Sequence, residues 1–415
     1  MALIAMLMLS STCSVFAQGE GQTTISLEQA LRLTVERNPE LVAFGHQLIA
    51  QQGRVQQSSL APNPTLDVEI ENFAGTGPLK GLDGPETTVS LQWVLERGKR
   101  NGRTEVSNAE MSLLQADALV RRVDEAAETA HLYLNCLEYQ ALLLQAEESV
   151  LLYERLADAA QKRVNAGRSP AADLARVEVA LAEQNLGLDD YAHSLEVAVR
   201  RLAAQWGETS PAFSRVRGNA QSLPSLVEFG VLRVRVAGNP SLSRFLVEER
   251  LRETEIRLAK LRAKPNWRVR AGVRHIERTG DQAFIAGITI PLGVRNKNQG
   301  RIAEKRAELS RSQADQVAER IRIETELFAV YQELHHELHI ATTYRDEILP
   351  RVQAALSETE KAYAAGRYSY LELRSAQDDA LDARTIAITA AINAKRGLIE
   401  IERLTGTTVD GRGQG

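Results

Sequence analysis

Val164-Asn165-Ala166-Gly167-Arg168-Ser169, followed by Asp173-Leu174, is echoed by Ala364-Ala365-Gly366-Arg367-Tyr368-Ser369, followed by Glu372-Leu373. Gly366 lies 199 residues after Gly167, and Gly406 lies 199 residues after Gly207. The chain reads as a tandem duplication, repeat 1 over 18–217 and repeat 2 over 218–406. In each copy a Gly stands between two long helical patterns with a Ser just behind it. Gly supplies a left-handed helix C-cap, and Ser suits the N-cap of the next helix. Both stretches predict sharp turns at the ends of long antiparallel helix hairpins.

Outward from the first turn, Leu113, Ala116, Val120, Val123, Ala127, Ala130, Leu134, Leu137, Ala141 and Leu144 are spaced by threes and fours without a break. That is a heptad seam. An unbroken helix from about Gly102 to Gly167 would span roughly 100 Å at 1.5 Å per residue. The counterpart stripe in the second half is Ile323, Leu327, Val330, Leu334, Leu338 and Ala341, and Pro350 further on predicts a kink. Return helices are expected from Asp173 to Trp206 and from Glu372 to Leu404.

Ahead of the long helices the period changes. Ser26 reads as an N-cap and Asn38-Pro39 as a break between two helical pieces, repeated with Ser225 and Asn239-Pro240. The helices from Leu41 and Leu242 then stop at prolines. Next, Leu66, Val68 and Ile70 alternate with Asp67, Glu69 and Glu71, and Val89, Leu91, Trp93 and Leu95 follow a Gly- and Pro-rich loop. Period two means strand, so 64–95 reads as a β-hairpin. The hairpin over 267–292 repeats it, with Trp267, Val269, Ala271 and Val273 set against Arg268, Arg270 and Arg274. Strands of this length, apolar on one face and charged on the other, suit a tilted membrane barrel. Four strands cannot close one. Either several chains contribute, or the hairpins form a small soluble sheet, and periodicity alone does not choose.

The first 17 residues tip the choice toward the membrane. They are short and apolar and end in Val15-Phe16-Ala17, the pattern of a secretory signal too short to span a bilayer as a helix. No basic residue precedes Arg32, so a positively charged n-region is missing. Of the two cysteines, Cys13 falls in the signal, where Ser10-Ser11-Thr12 matches a lipidation site poorly, and Cys136 falls in a long helix. Residues 407–415 read as a disordered tail. With 50 basic and 54 acidic residues the net charge is -4, which argues against a nucleic-acid footprint. Aromatics at 5% are scarce, as suits long helices joined by small side chains.

Taken in order, Ser26 through Asn38-Pro39-Glu40-Leu41, Ala61-Pro62-Asn63-Pro64-Thr65-Leu66, Arg97-Gly98-Lys99-Arg100, Ile290-Pro291-Leu292, Asn296-Lys297-Asn298-Gln299-Gly300, Tyr370-Leu371-Glu372-Leu373, Gln377 and Leu404-Thr405-Gly406 carry a resemblance. The chain resembles the TolC-like outer-membrane efflux channels, in the branch serving cobalt-zinc-cadmium type efflux. The resemblance implies a mainly α fold of two tandem structural repeats: a homotrimer with a long periplasmic α-barrel continuous with a 12-stranded outer-membrane β-barrel, four strands per chain. It implies a periplasmic membrane-fusion adaptor and an inner-membrane resistance-nodulation-division pump as partners, outer-membrane lipid around the barrel, and no catalysis or cofactor. Gly167, Arg168 and Ser169 with Gly366, Arg367 and Ser369 would be the periplasmic tips that meet the adaptor. An acidic pore constriction falls on Glu372 and its counterpart Asp173, and Ser375 departs from a second acidic position. An acid in the first turn of a helix is also simple dipole complementarity.

The remaining candidates have plainer readings. His335 and His339, at i and i+4 on one helix face, could ligate a metal, but no third ligand accompanies them, and a solvated face is preferred. Trp93 and Trp267 suit a lipid interface or simple packing. No His, Ser, Cys or acidic constellation has catalytic spacing. The expected function is an outer-membrane exit duct for divalent heavy-metal cations. The alternatives are a duct for drugs or other organic solutes and, from a different class, a soluble periplasmic coiled-coil scaffold.

Overall fold

A computed structural model describes residues 24–79, 84–293 and 295–406. The expected signal, Cys13 and the 407–415 tail lie outside the described residues. The first half comprises β1 (Thr24–Ile25), α1 (Leu27–Arg37), α2 (Pro39–Ser59), β2 (Thr65–Glu71), β3 (Glu86–Leu95), α3 (Lys99–Asn165), α4 (Ala171–Ala204) and β4 (Arg215–Val216). The second comprises α5 (Phe229–Arg235), α6 (Pro240–Arg262), β5 (Trp267–Ile276), β6 (Asp281–Thr289), α7 (Gln299–Thr343), α8 (Leu349–Ala364) and α9 (Tyr370–Thr405). The order helix, hairpin, long helix, return helix occurs twice.

Local chemistry sets most boundaries. The Ser26 hydroxyl accepts from the Gln29 N–H and the Gln29 side chain accepts from the Ser26 N–H, a capping box that starts α1. Asn38 ends α1 and caps α2 by accepting from the N–H groups of Glu40 and Leu41, with Pro39 at the first helical position. Asn239 and Pro240 repeat this for α6. Ser225 does not cap its helix. The chain from Ser222 to Glu228 forms no regular element, and α5 begins only at Phe229, whose ring packs on Phe328 and Tyr331 of α7. That stretch is tied down by Lys395, 6% exposed, whose ammonium donates to the Asn219 carbonyl at 2.7 Å and to the Ser222 hydroxyl at 2.6 Å. Burial pushes the Lys395 pKa down.

Helix α3 is continuous over 67 residues and begins at Lys99, three residues before the expected Gly102, because Gly98 at φ +87° turns the chain out of β3. Its seam holds as far as Ala141, which packs half-buried against the core. Leu144, expected on it, is 58% exposed, and the buried line moves to Leu142, Ala146, Ser149, Tyr153 and Leu156. A strict heptad drifts about 20° per repeat around a straight helix, and here the packing follows the helix. On the second side the expected stripe is buried at Ile323, Leu327, Leu334 and Ala341. Before Pro350 the helix widens into a π turn over Tyr344–Ile348, which absorbs the missing N–H and the ring clash.

The four long strands form one sheet, ordered β2-β3-β5-β6 and antiparallel throughout. Strand β6 ends at Thr289, so Ile290 and Leu292 extend past it. Gly272 faces Ser90, and a Cβ there would lie 2.3 Å from the Val89 carbonyl oxygen, so the central pair needs a glycine. The two-residue β1 and β4 pair in parallel far from this sheet, tying the end of the first half to its start. Tyr133 and Gln140 of α3 hold that pair through the carbonyls of Ile25 and Val216.

Candidate functional site

Two places carry candidate function, the helix tips at one end and the sheet at the other. At the first tip Gly167, φ +66°, donates to the Val164 carbonyl and Arg168 donates to the Arg163 carbonyl, each at 2.9 Å. At the second, Gly366, φ +73°, donates to Tyr363 and Arg367 donates to Ala362, again at 2.9 Å. Both are complete Schellman motifs, with glycine at the left-handed position. Gly167, Arg168, Gly366, Arg367 and Ser369 are exposed and Ser169 is half-buried.

The next turn differs between the tips. Ser369 caps α9 in a capping box: the Glu372 N–H donates to the Ser369 hydroxyl, and the Ser369 N–H donates to the Glu372 carboxylate at 2.6 Å. That backbone bond, with the Ser369 hydroxyl, lowers the Glu372 pKa. Ser169, expected to do the same, is not the cap. At the constant offset Ser369 falls on Pro170, which is the N-cap of α4 and gives no side-chain bond. Ser169 instead donates its hydroxyl to the Asp173 carboxylate at 2.8 Å. Asp173 and Glu372 occupy equivalent positions, the first beside Arg176 at 3.7 Å and the second engaged with its own helix start.

The two hairpins are tied to each other just behind the tips. Arg163 donates to the Tyr363 carbonyl at 2.8 Å and lays its guanidinium 4.7 Å from the centre of the Tyr363 ring. The Tyr363 carbonyl is one of the helix-terminal acceptors, where a cation is favoured. Tyr153 donates to Asp378 at 3.4 Å, and Arg374 bridges to Glu183 at 2.9 Å. Tyr153, Val177, Tyr370 and Leu373 are buried between them. Of these cross-hairpin residues only Tyr370 and Leu373 stood out in the sequence, as part of the stretch Tyr370-Leu371-Glu372-Leu373. The available signal was the position of Arg163 and Tyr363 beside the two glycines.

On the sheet the alternation resolves into two faces. Leu66, Val68, Ile70, Val89, Leu91, Trp93, Val273, Phe284 and Ile288 share one and are all exposed, Phe284 to 93%. The other face carries the charges, and the register brings the acids of β2 to the arginines of β5 across β3. Arg274 bridges Glu71 and Glu86, each at 2.8 Å, and donates to the Thr88 hydroxyl, while Arg270 stands 3.8 Å from Glu69. Arg97, just past β3, lies 4.8 Å over the Trp267 ring. Strands β2 and β6 are the free edges of this sheet. No described helix is long and apolar enough to cross a membrane. His335 and His339 lie on an exposed face of α7. Among the described residues no group of three or more His, Cys, Asp or Glu side chains is placed to hold a metal ion.

Long helical hairpins are thus attached to a sheet with an exposed apolar face and two free edges. Residues 30–208 match the family described as outer membrane efflux protein. That match covers less than half of the chain. It is 25% identical over 388 residues to the cobalt-zinc-cadmium resistance protein CzcC of Cupriavidus metallidurans, covering 93% of this chain and 91% of that one. The nickel and cobalt resistance protein CnrC of the same organism is 24% identical over 294 residues, 70% of this chain and 68% of that one. A crystallised membrane protein from Pseudomonas aeruginosa has the same fold at a TM-score of 0.77, with 15% identity and 92% of each chain covered.

Proposed function

We propose that the chain is the outer-membrane exit duct of a tripartite resistance-nodulation-division efflux system, and that its cargo is divalent heavy-metal cations. The observation that carries the duct is the open four-stranded sheet, whose apolar face is bare and whose edges β2 and β6 are unpaired. Three copies joined edge to edge give a closed barrel with the charged rows inside and the apolar rows in lipid. The helices of the two tandem repeats, 18–217 and 218–406, then extend into the periplasm. Gly167, Arg168, Ser169, Gly366, Arg367 and Ser369 meet a periplasmic adaptor, with the pump reached through it. Glu372 and Asp173 line the constriction behind these tips. The metal cargo rests on the resistance named for CzcC and CnrC.

The test is growth of a deletion strain and its complemented derivative on cobalt, zinc, cadmium, nickel, copper and silver salts beside a panel of dyes and antibiotics. Sensitivity confined to metals and restored by complementation is the expected outcome. Sensitivity to organic compounds alone reassigns the cargo. A chain extracted by buffer without detergent removes the duct.

A further inference from the structure

Where the sheet meets the helices, a groove of 240 Å³ is lined by Lys99, Arg262 and Lys264 together with Asn296, Asn298 and Leu292, and no carboxylate lines it. It forms where α6 ends and α3 and α7 begin, pinned by the Asn298 amide donating to the Ala259 carbonyl at 2.8 Å. The nearest acid in sequence, Glu96, is taken up by Arg103. Arg262 and Lys264 by themselves need no ligand, because cations complement the carboxy end of α6. Lys99 stands at the opposite kind of terminus, the first residue of α3, where a positive charge is disfavoured. Burial lowers its pKa, the attraction of Glu96 opposes that, and the nearby Arg262 adds a smaller lowering. Neither α3 nor α7 has an acid in its first turn or a side-chain cap. The positive charge of the cluster is offset in part by Glu96, whose carboxylate is itself bonded to Arg103.

The groove is also continuous with the apolar face. Leu292, 82% exposed, follows β6 on the line of Phe284 and Ile288 and forms one wall. The Arg97–Trp267 stack stands on the same face, and an aromatic ring with a cation marks the level of lipid headgroups. We propose that this groove binds the phosphate of an anionic phospholipid of the periplasmic leaflet, with the acyl chains lying along Leu292 and the apolar strand rows. The inference rests on the reading of the sheet as part of a membrane barrel. Charge complementarity and the contiguous apolar wall favour a lipid over a free anion, and basic pockets at a membrane boundary bind such headgroups.

The experiment measures thermal unfolding of the detergent-extracted full chain with added phosphatidylglycerol, phosphatidylethanolamine or inorganic phosphate. It compares the wild type, the triple variant Lys99→Gln/Arg262→Gln/Lys264→Gln, and the control Arg311→Gln/Arg320→Gln/Arg351→Gln, which removes the same charge from exposed positions elsewhere. Phosphatidylglycerol is expected to raise the midpoint of wild type and control by several degrees more than phosphatidylethanolamine does. The triple variant is expected to lose most of that difference and to retain about fivefold less co-purified phosphatidylglycerol. Should the triple variant not fold, the three single variants replace it, each expected to lose part of the shift. Undiminished shifts in the variants overturn the proposal, as does an equal shift from inorganic phosphate. A chain that leaves the membrane without detergent fails the barrel reading itself, whereas a detergent-requiring chain with a lipid-insensitive groove fails only this inference.

Discussion

The two tips end their first helix in the same way and start the next one differently. Gly167 and Gly366 close identical Schellman motifs, yet α4 starts on Pro170 while α9 starts on a Ser369–Glu372 capping box. Arg163, which fastens the first hairpin to the second, has Ala362 at its counterpart position. The same contrast recurs at the far ends of the return helices. Gly207 and Gly406 both adopt positive φ, but only Gly406 is pressed against another segment. The duplication has kept the backbone turns, which permit little besides glycine. It has released the side chains around them, so that the two halves fit each other without copying each other.

The largest test of this contrast is at the helix ends. A Cβ at Gly406 would stand 2.4 Å from the Gly238 carbonyl oxygen, while at Gly207 the nearest atom is the Pro39 ring at 3.7 Å. Gly207→Ala should cost about 1–2 kcal/mol for the left-handed backbone alone. Gly406→Ala should cost about 3 kcal/mol or more, since the overpacking adds to the same strain. Denaturant unfolding of the two variants in detergent measures both. Equal losses would mean that Gly406 is no tighter than its counterpart.

A smaller effect is expected from Arg163→Ala, which removes a charged hydrogen bond and a ring contact at about 2 kcal/mol together. Because Tyr363 keeps its bond from Gly366, the loss should fall on the coupling between hairpins rather than on either turn. Amide hydrogen exchange should rise across 360–373 while 171–181 stays protected. Exchange rising equally in both segments would indicate that the hairpins open as one body.

How much of this could be read from the chain depends on the range of the interaction. The period-two rows, the glycine turns and the Asn-Pro breaks are local, and their outcome in the structure follows from backbone sterics. The seam was legible only to Ala141, because a heptad pattern does not record how far the helix departs from supercoiling. Ser169 misled because a serine behind a glycine reads the same one position early, and the constant offset already placed Pro170 at the cap. Ser225 failed for a nonlocal reason, since Lys395 from a distant helix holds the preceding residues out of a helix. Arg163 and the basic groove gather residues from separate elements, and no spacing in the sequence announces them.

The finest test lies in the caps. Ser369→Ala should cost about 1 kcal/mol by freeing the first turn of α9, whereas Ser169→Ala, which leaves the Pro170 start intact, should cost a few tenths. The box should also respond to acid. Its backbone bond from Ser369 lowers the Glu372 pKa below the ordinary glutamate value of 4.5. A carboxylate with a depressed folded pKa contributes stability that is present above the unfolded value and lost as the pH falls through the folded one. Protection of the first α9 amides, corrected for the intrinsic pH dependence of exchange, should therefore decline as the pH drops below 4.5. Glu372→Gln should abolish that decline and leave the start of α4 unchanged. A decline that persists in Glu372→Gln would assign the acid response to another group and leave the two helix starts alike in their dependence on charge.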